Sequence, residues 1–302
     1  MFERSRTAAA AGLLSALLLA SVLTGCSSGT QESASTEIEG ADELGAVEVV
    51  AREEGSGTRA VFSEQVGLIE TADDGTEVDV TTESATIANS AEVVIDAVSA
   101  SDSAIGYVSL GSLSANDGVK VVSIDGVEPS TATVEDGSYS LSRDFLIASV
   151  DDATDVEADF LDYITSAGQE IVEEEGYVAV QDTGRFLSDK SEGFITISGS
   201  TSVSPLMEAL ADAYGEENPN AAITVTATDS TTGLNAAMSQ ESDWGMSSRE
   251  LESYESELLD TTVIARDAVA VIVSDSSPVT SLSTDELRQL FSGEAADWSD
   301  LN

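Results

Sequence analysis

Apolar residues along this chain fall into two alternating patterns: short β-branched runs, and stretches in which they recur every three or four positions. Val47 to Ala51, Ala104 to Leu110, Val119 to Ile124, Phe145 to Val150, Phe194 to Ser198, Ile223 to Thr228 and Ala268 to Val273 have the length and composition of buried strands. Val61, Phe62 and Val66 share one helical face, as do Leu206, Leu210 and Tyr214, and Val156, Phe160 and Ile164. Pro205 suits a first helical turn, and Asn218-Pro219 stops the helix that follows it. Gly176 closes a helix from Gly168 to Glu175, and Ser283 with Glu286 forms a capping box for the helix through Leu287 and Leu290. Strands alternating with helices predict an α/β fold.

Three of the strand-to-helix junctions carry glycines and hydroxyls: Arg52-Glu53-Glu54-Gly55-Ser56-Gly57-Thr58, Gly199-Ser200-Thr201-Ser202-Val203-Ser204, and Asp229-Ser230-Thr231-Thr232-Gly233. At such a junction free backbone N–H groups and the helix dipole favour a negative ligand. Glycine lets the backbone approach closely, Ser and Thr donate without adding charge, and one arginine supplies a bidentate contact to a tetrahedral anion. Convergence of the three ends would build an oxyanion cage with Arg52 placed to serve it. Taken singly, each loop also reads as an ordinary Ser or Thr helix cap. Arg52 alone reads equally as a surface partner of Glu53 or Glu54, a pairing worth little.

The amino terminus changes the picture of location. Arg4 and Arg6 precede an apolar run from Ala8 to Ala20, and the segment closes on Leu23-Thr24-Gly25-Cys26. The run is shorter than the roughly 20 residues of a membrane span, so residues 1–26 read as a secretory signal ending in a bacterial lipobox. Cys26, the sole cysteine, would carry the lipid; a signal peptide with an incidental Cys is the bland reading. Residues 27–40, rich in Ser, Thr, Glu and Gly, read as a flexible tether. The remaining body is long enough for two lobes with their own cores.

With 57 acidic against 11 basic residues, the formal charge is −46. That excludes nucleic acid as a partner. The acids are scattered and the hydrophobic content is 41%, so they form a solvated shell, not a disordered tail. Enzymatic chemistry finds little material: there is no histidine, no G-x-S-x-G elbow, no Ser-x-x-Lys pair and no P-loop lysine. Asp73-Asp74-Gly75 and Asp151-Asp152 lack the spacing of a calcium loop and read as turns, so neither metal nor cofactor is expected.

The segments Val49 to Arg59 (VVAREEGSGTR), Ala104 to Gly111 (AIGYVSLG), Ile197 to Leu206 (ISGSTSVSPL) and Gly245 to Glu250 (GMSSRE) resemble phosphate-binding lipoproteins of ABC importers. The resemblance spans nearly all of residues 45–302. It implies a two-lobed periplasmic-binding-protein-like fold of type II. The family's order runs from the GSTSVSPL-like segment through SSRE and a segment like Leu287 to Leu301 to REEGSGTR and IGYVSLG; here the last two come first. Joining Leu301-Asn302 to Gly45-Ala46 restores that order, with Val180 to Gly193 linking the family's usual end to its usual beginning. This is the pattern of a circular permutant, the other reading being a truncated tandem duplication.

The resemblance further implies one lobe from residues 139–267 and a second from 41–138 plus 268–302, with the ligand between them. Carried over singly, Thr201 and Ser202 match first-loop phosphate ligands, Ser230 matches the second, and Arg52, Ser56, Gly57 and Thr58 match the third. Ser248 falls where some members place an aspartate, whose acceptor oxygens favour monohydrogen phosphate over sulfate. Asp229 is a candidate for the missing acceptor, or a cap. Arg249 is either a further anion contact or a brace for Glu250. The implied protein is a monomer, lipid-anchored through Cys26 to the outer face of the bacterial cell membrane, that hands phosphate to an ABC importer permease. Sulfate, molybdate or tungstate are alternative ligands, and an anion sensor or surface protein without a permease is an alternative role.

A polyanion repels the anion it collects. Because screening acts over about 8 Å at 0.15 M salt, capture must rest on short contacts inside a cleft. Stopped-flow measurement of anion association is therefore expected to give a rate that rises or stays level as ionic strength increases; a steep fall would contradict short-range capture.

Overall fold

The computed structural model describes residues 40–72, 74–113, 117–150 and 152–301. The signal, the lipobox Cys26 and nearly all of the tether lie outside the described residues, as do Asp73 and Asp151. Among the described residues no helix is long and apolar enough to cross a membrane.

One nine-stranded sheet runs through the body. Its order is Ala221–Thr228, Gly193–Ser200, Trp244–Ser247, Ser142–Ser149, Asp260–Ser274, Ala104–Ser109, Glu48–Arg52 and Thr86–Ala88, with Val119–Val121 paired to the far end of Asp260–Ser274. The 15-residue strand Asp260–Ser274 is shared by the two halves of the sheet. Residues 260–268 pair antiparallel with Ser142–Ser149, and residues 269–274 pair with Ala104–Ser109 and Val119–Val121. The alternation in its sequence predicted only Ala268 to Val273, since Asp260-Thr261-Thr262 lie exposed or half-buried and carry no apolar signal.

Core residues gather on each side of that strand. One cluster stacks Phe62 on Tyr107 at 4.0 Å between ring centroids, with Phe291 edge-on to Phe62 at 4.7 Å. Around it pack Val49, Ala51, Leu287, Leu290 and Trp298, and Tyr139 and Leu141 join the same cluster. The other cluster holds Phe145, Phe160, Tyr163, Tyr214 and Trp244, with Phe160 stacked on Trp244 at 5.6 Å. Each aromatic pair contributes about 0.5–1.5 kcal/mol beyond its area burial.

The helix faces read from the sequence are the buried ones. Val61, Phe62 and Val66 are buried in helix Gly57–Val66, and Leu206, Leu210 and Tyr214 in Ser204–Glu217, whose first turn holds Pro205. Ser283 and Glu286 exchange both bonds of a capping box before Thr284–Ser292. Not anticipated were the helix Ala91–Ser99 and the strands Thr86–Ala88 and Trp244–Ser247. The expected strand Val119 to Ile124 is two pieces, Val119–Val121 and Ser123–Ile124, the second pairing with Ser281–Leu282. Helix Ser230–Met238 lies so close on the sheet that a Cβ on Gly233 would sit 2.3 Å from the Cα of Gly199. Only glycine permits that approach.

The two ends of the body meet. Trp298 N–H donates to the Gly45 carbonyl at 3.0 Å and Val47 N–H to the Ala296 carbonyl at 3.0 Å, while Ala46 and Asp297 form an isolated bridge. Residues 179–192 cross back without helix or strand. They are tied down by Asp159, whose carboxylate accepts from Ser188 Oγ at 2.6 Å, Asp189 N–H at 2.9 Å and Tyr214 Oη at 2.7 Å. Burial alone would raise the Asp159 pKa, yet the bonds from Ser188, Tyr214 and Asp189 outweigh it and hold the carboxyl below its ordinary range.

A depressed carboxyl pKa adds stability that is present above the unfolded-state Asp range and is lost as pH falls through the folded value. Asp159→Asn is therefore expected to lower the urea midpoint at neutral pH, with the gap to the parent chain closing toward acid. A gap independent of pH would show that the charged form is not what these bonds hold.

Candidate functional site

The three small-residue loops meet at one place. Glu48–Arg52 ends at Arg52, whose side chain is 1% exposed. The Arg52 backbone N–H donates to Tyr107 Oη at 3.2 Å, so the Phe62–Tyr107 stack fixes where the arginine starts. Its Nε and one terminal nitrogen, Nη2, grip the two oxygens of Glu53 at 3.0 and 2.9 Å, and Nε also lies 3.3 Å from the Ala88 carbonyl. Nη2 further donates to Thr201 Oγ1 at 2.9 Å, on the loop after Gly193–Ser200 and 149 positions away. The remaining terminal nitrogen, Nη1, is buried without a hydrogen-bond partner. Buried donors are paired in nearly all proteins, so an unpaired guanidinium nitrogen marks a place for an acceptor.

Hydroxyls gather at the same junction, beginning with Thr201 on Nη2. Thr58 Oγ1 and Ser202 Oγ are 2.9 Å apart. Ser200 Oγ donates to Ser248 Oγ at 2.8 Å, and Ser230 Oγ accepts from the Ser248 backbone N–H at 3.1 Å. Ser56, Thr58, Ser200, Ser202, Ser230 and Ser248 are all buried. Three helices begin here, Gly57–Val66, Ser204–Glu217 and Ser230–Met238. Their first turns add N–H groups and dipole to the same volume.

The loops touch across the junction. Thr231 N–H donates to the Gly55 carbonyl at 3.2 Å. A Cβ on Gly57 would fall 2.4 Å from Ser230 Oγ, 2.5 Å from Ser248 Oγ and 2.9 Å from the Ser248 carbonyl carbon. Gly57 is thus a position where the two halves approach closely, and its lack of a side chain is what allows it.

The proposed ligands Arg52, Gly57, Thr58, Thr201, Ser202, Ser230 and Ser248 all lie in this cluster. Ser56 is there too, acting as the N-cap of Gly57–Val66 by accepting from Arg59 N–H at 3.4 Å. Asp229 caps Ser230–Met238, its two oxygens accepting from Thr232 N–H at 2.8 Å and Thr232 Oγ1 at 2.6 Å. Arg249 donates from Nη1 to the Glu250 backbone carbonyl at 2.8 Å, and its Nη1 and Nη2 lie 2.8 and 2.9 Å from the Glu255 oxygens, with Nη2 also 3.1 Å from Thr231 Oγ1. Burial would raise the Glu255 pKa, but bonds from Arg249 and the Glu252 N–H hold it down.

Sequence reasoning missed a second arginine. Arg143 stands in Ser142–Ser149 directly opposite Asp267 on the shared strand, and donates from Nε and Nη2 to Asp267 Oδ2 at 3.1 and 2.8 Å. Its Nη1 donates to Thr58 Oγ1 at 2.7 Å. Burial pushes the Asp267 carboxyl upward, and the Arg143 charge pulls against it. Arg143 lies two residues before the strand expected at Phe145 to Val150, and its partner is 124 positions away, so no local pattern marked it. Among the described residues no group of three or more acidic or cysteine side chains is arranged to hold a metal ion.

Comparison with known proteins gives a consistent picture. The PBP superfamily domain matches residues 33–168 and 179–302. The phosphate-binding protein PstS 2 of Streptococcus agalactiae serotype V is 38% identical over 292 residues, covering 96% of this chain and 96% of that protein. Its counterpart in Streptococcus pneumoniae serotype 4 is 39% identical over 299 residues, or 98% of each chain. The phosphate-binding protein PstS of Bacillus subtilis aligns over 116 residues at 34% identity, 37% of this chain and 39% of that one. The crystal structure of a phosphate ABC transporter phosphate-binding protein from Streptococcus pneumoniae TIGR4 superposes with a TM-score of 0.71 at 39% identity, covering 85% of this chain and all of that one.

Gly57→Ala is expected to force the Ser230 and Ser248 side apart. Overpacking of this kind costs about 1–3 kcal/mol, and each 1.4 kcal/mol is about tenfold in affinity. Calorimetry should show anion binding about fivefold to a hundredfold weaker. Unaltered affinity would mean the loops are not in contact when the anion is held.

Proposed function

The chain belongs to the PBP superfamily and, within it, to the PstS family of phosphate-binding proteins, and we propose that it captures inorganic phosphate at the junction of its three hydroxyl-rich loops. The observation that carries this reading is Arg52 Nη1, buried and unpaired among described residues where Thr58, Thr201, Ser202, Ser230 and Ser248 converge. A tetrahedral dianion offers the acceptors that this nitrogen and the helix N–H groups lack. Glu53 holds the guanidinium in place through two of its nitrogens and leaves the third for the ligand.

The protein acts as a binding protein and breaks no bond. Arg52, Ser56, Gly57 and Thr58 close on Thr201, Ser202, Ser230 and Ser248 by bending about the shared strand Asp260–Ser274, and a permease reads the closed form. Delivery is to an ABC importer, whose ATPase supplies the energy. The chain is secreted, anchored to the outer face of the membrane through lipid on Cys26, and works as a monomer.

Its segment order is a circular permutation of the order in the longer-known branch of the family. Three observations support this. The body's two ends are hydrogen-bonded neighbours at Gly45 and Trp298, residues 179–192 form a plain connector, and the streptococcal relatives align end to end while the Bacillus subtilis protein aligns over little more than a third. Adjacent surface ends are what make such a rearrangement tolerable.

Titration calorimetry with phosphate on the folded body, residues 40–302, tests the function. Hydrogen bonds to charged groups are worth about 1.5–3 kcal/mol each, so loss of the one from Nη1 in Arg52→Ala is expected to weaken phosphate binding by about tenfold to a hundredfold. Sulfate, molybdate and tungstate serve as competitors. A parent chain that binds one of these in preference to phosphate, or an Arg52→Ala chain that binds phosphate normally, overturns the reading.

A further inference from the structure

Arg143 is a second buried guanidinium at the junction, and it reaches across in the opposite sense to Arg52. Arg52 lies on the Glu48–Arg52 side of the sheet and donates to Thr201, on the loop after Gly193–Ser200. Arg143 lies on Ser142–Ser149, which shares the sheet half containing Gly193–Ser200 and Trp244–Ser247, and donates to Thr58 at the start of Gly57–Val66. Each arginine therefore grasps a threonine belonging to the facing half.

A guanidinium has donors only, and a threonine hydroxyl has one proton. Arg143 Nη1, 2.7 Å from Thr58 Oγ1, can only donate to it. That occupies a lone pair of Thr58 and leaves its single proton to go elsewhere. The nearest recipient is Ser202 Oγ at 2.9 Å, on the loop that Arg52 approaches through Thr201. Asp267 fixes the geometry from behind: a single carboxylate oxygen takes both Nε and Nη2 of Arg143, so Nη1 is the edge left facing Thr58. The ring of Phe145 lies 5.1 Å from the Arg143 Cζ and backs the same arrangement.

We propose that Arg143, clamped by Asp267, is a positioning residue for anion capture: by filling one of the two lone pairs of Thr58 it weights that hydroxyl toward donating within the junction, and it latches the two halves when they close. This rests on the phosphate reading above. An anion recruits donors, so a hydroxyl free to rotate would spend part of its time offering a lone pair to a ligand that repels it. Arg143 narrows that choice by occupying one lone pair through Nη1. Lysine keeps the charge, but its ammonium lacks the flat fork that serves Asp267 on one edge and Thr58 on the other.

The test is a double-mutant cycle read by phosphate calorimetry on the folded body, with the parent, Thr58→Val, Arg143→Lys and the double variant. Arg143→Lys is expected to weaken phosphate binding by about tenfold in the parent and by less than about twofold when Thr58 is already valine, since the residue it acts through is gone. If Arg143→Lys does not fold, Asp267→Asn takes its place in the same cycle with the same expectation. Equal losses in both backgrounds, or no loss in the parent, overturn the proposal and leave the phosphate reading standing. A parent chain that binds no phosphate ends that reading first, and is told apart because the cycle then has no starting value.

Discussion

The structure depends on keeping a guanidinium charge out of water at the place where two halves of one sheet come together. Isolated, such a charge is costly to bury. Arg52 is held by Glu53 on one edge and by Tyr107 through its backbone, and these contacts leave one buried terminal nitrogen without a partner. The hydroxyls of Thr58, Thr201, Ser202, Ser230 and Ser248 add donors without adding charge, and three helix starts add N–H groups. A junction lined by hydroxyls, helix N–H groups and one unpaired guanidinium nitrogen can meet an anion at short range, which is compatible with a chain of net charge −46. The surface acids act through screened solvent, whereas the cage acts at hydrogen-bond range.

Placement of the cage follows from the strand Asp260–Ser274. Because this strand pairs with Ser142–Ser149 over its first part and Ala104–Ser109 over its last, each half of the sheet has its own core while sharing one covalent rail. The Arg143–Asp267 pair sits on that rail, at the register where the strand passes from one half to the other. An ion pair there ties the geometry of the rail to Thr58, so the shared strand and the place where the halves meet are linked through one guanidinium. Replacing such a pair with apolar residues often leaves stability unharmed, which is consistent with its serving geometry more than stability.

Much of this was legible from residue order. The Phe62, Phe160 and Tyr214 faces, the capping box at Ser283, the turn at Gly176 and the glycine-hydroxyl loops all carry local signals, and each depends on neighbours within about one helical turn. The resemblance to phosphate-binding lipoproteins added which loops to set together. Helix Ala91–Ser99 was missed because its apolar run Val93 to Val98 gives no clear period, and Trp244–Ser247 because a strand of four residues is too short to show one. Asp229 and Arg249 illustrate the limit on single side chains. Each had two readings in the sequence, and the partners that give Asp229 its cap and Arg249 its brace are Thr232 and Glu255.

By itself the sequence determined the α/β alternation, the excess of acidic residues and the hydroxyl and glycine content of three strand-to-helix loops, since these are properties of composition and of spacing along the chain. Only the tertiary structure decided that Gly57 abuts Ser230 and Ser248, that Arg52 keeps one nitrogen free, and that Arg143 faces Asp267 and Thr58. Those contacts join residues from 85 to 191 positions apart. No local pattern encodes them, because the pairing of distant strands brings the partners within reach, and a hydrogen bond acts over only about 3 Å.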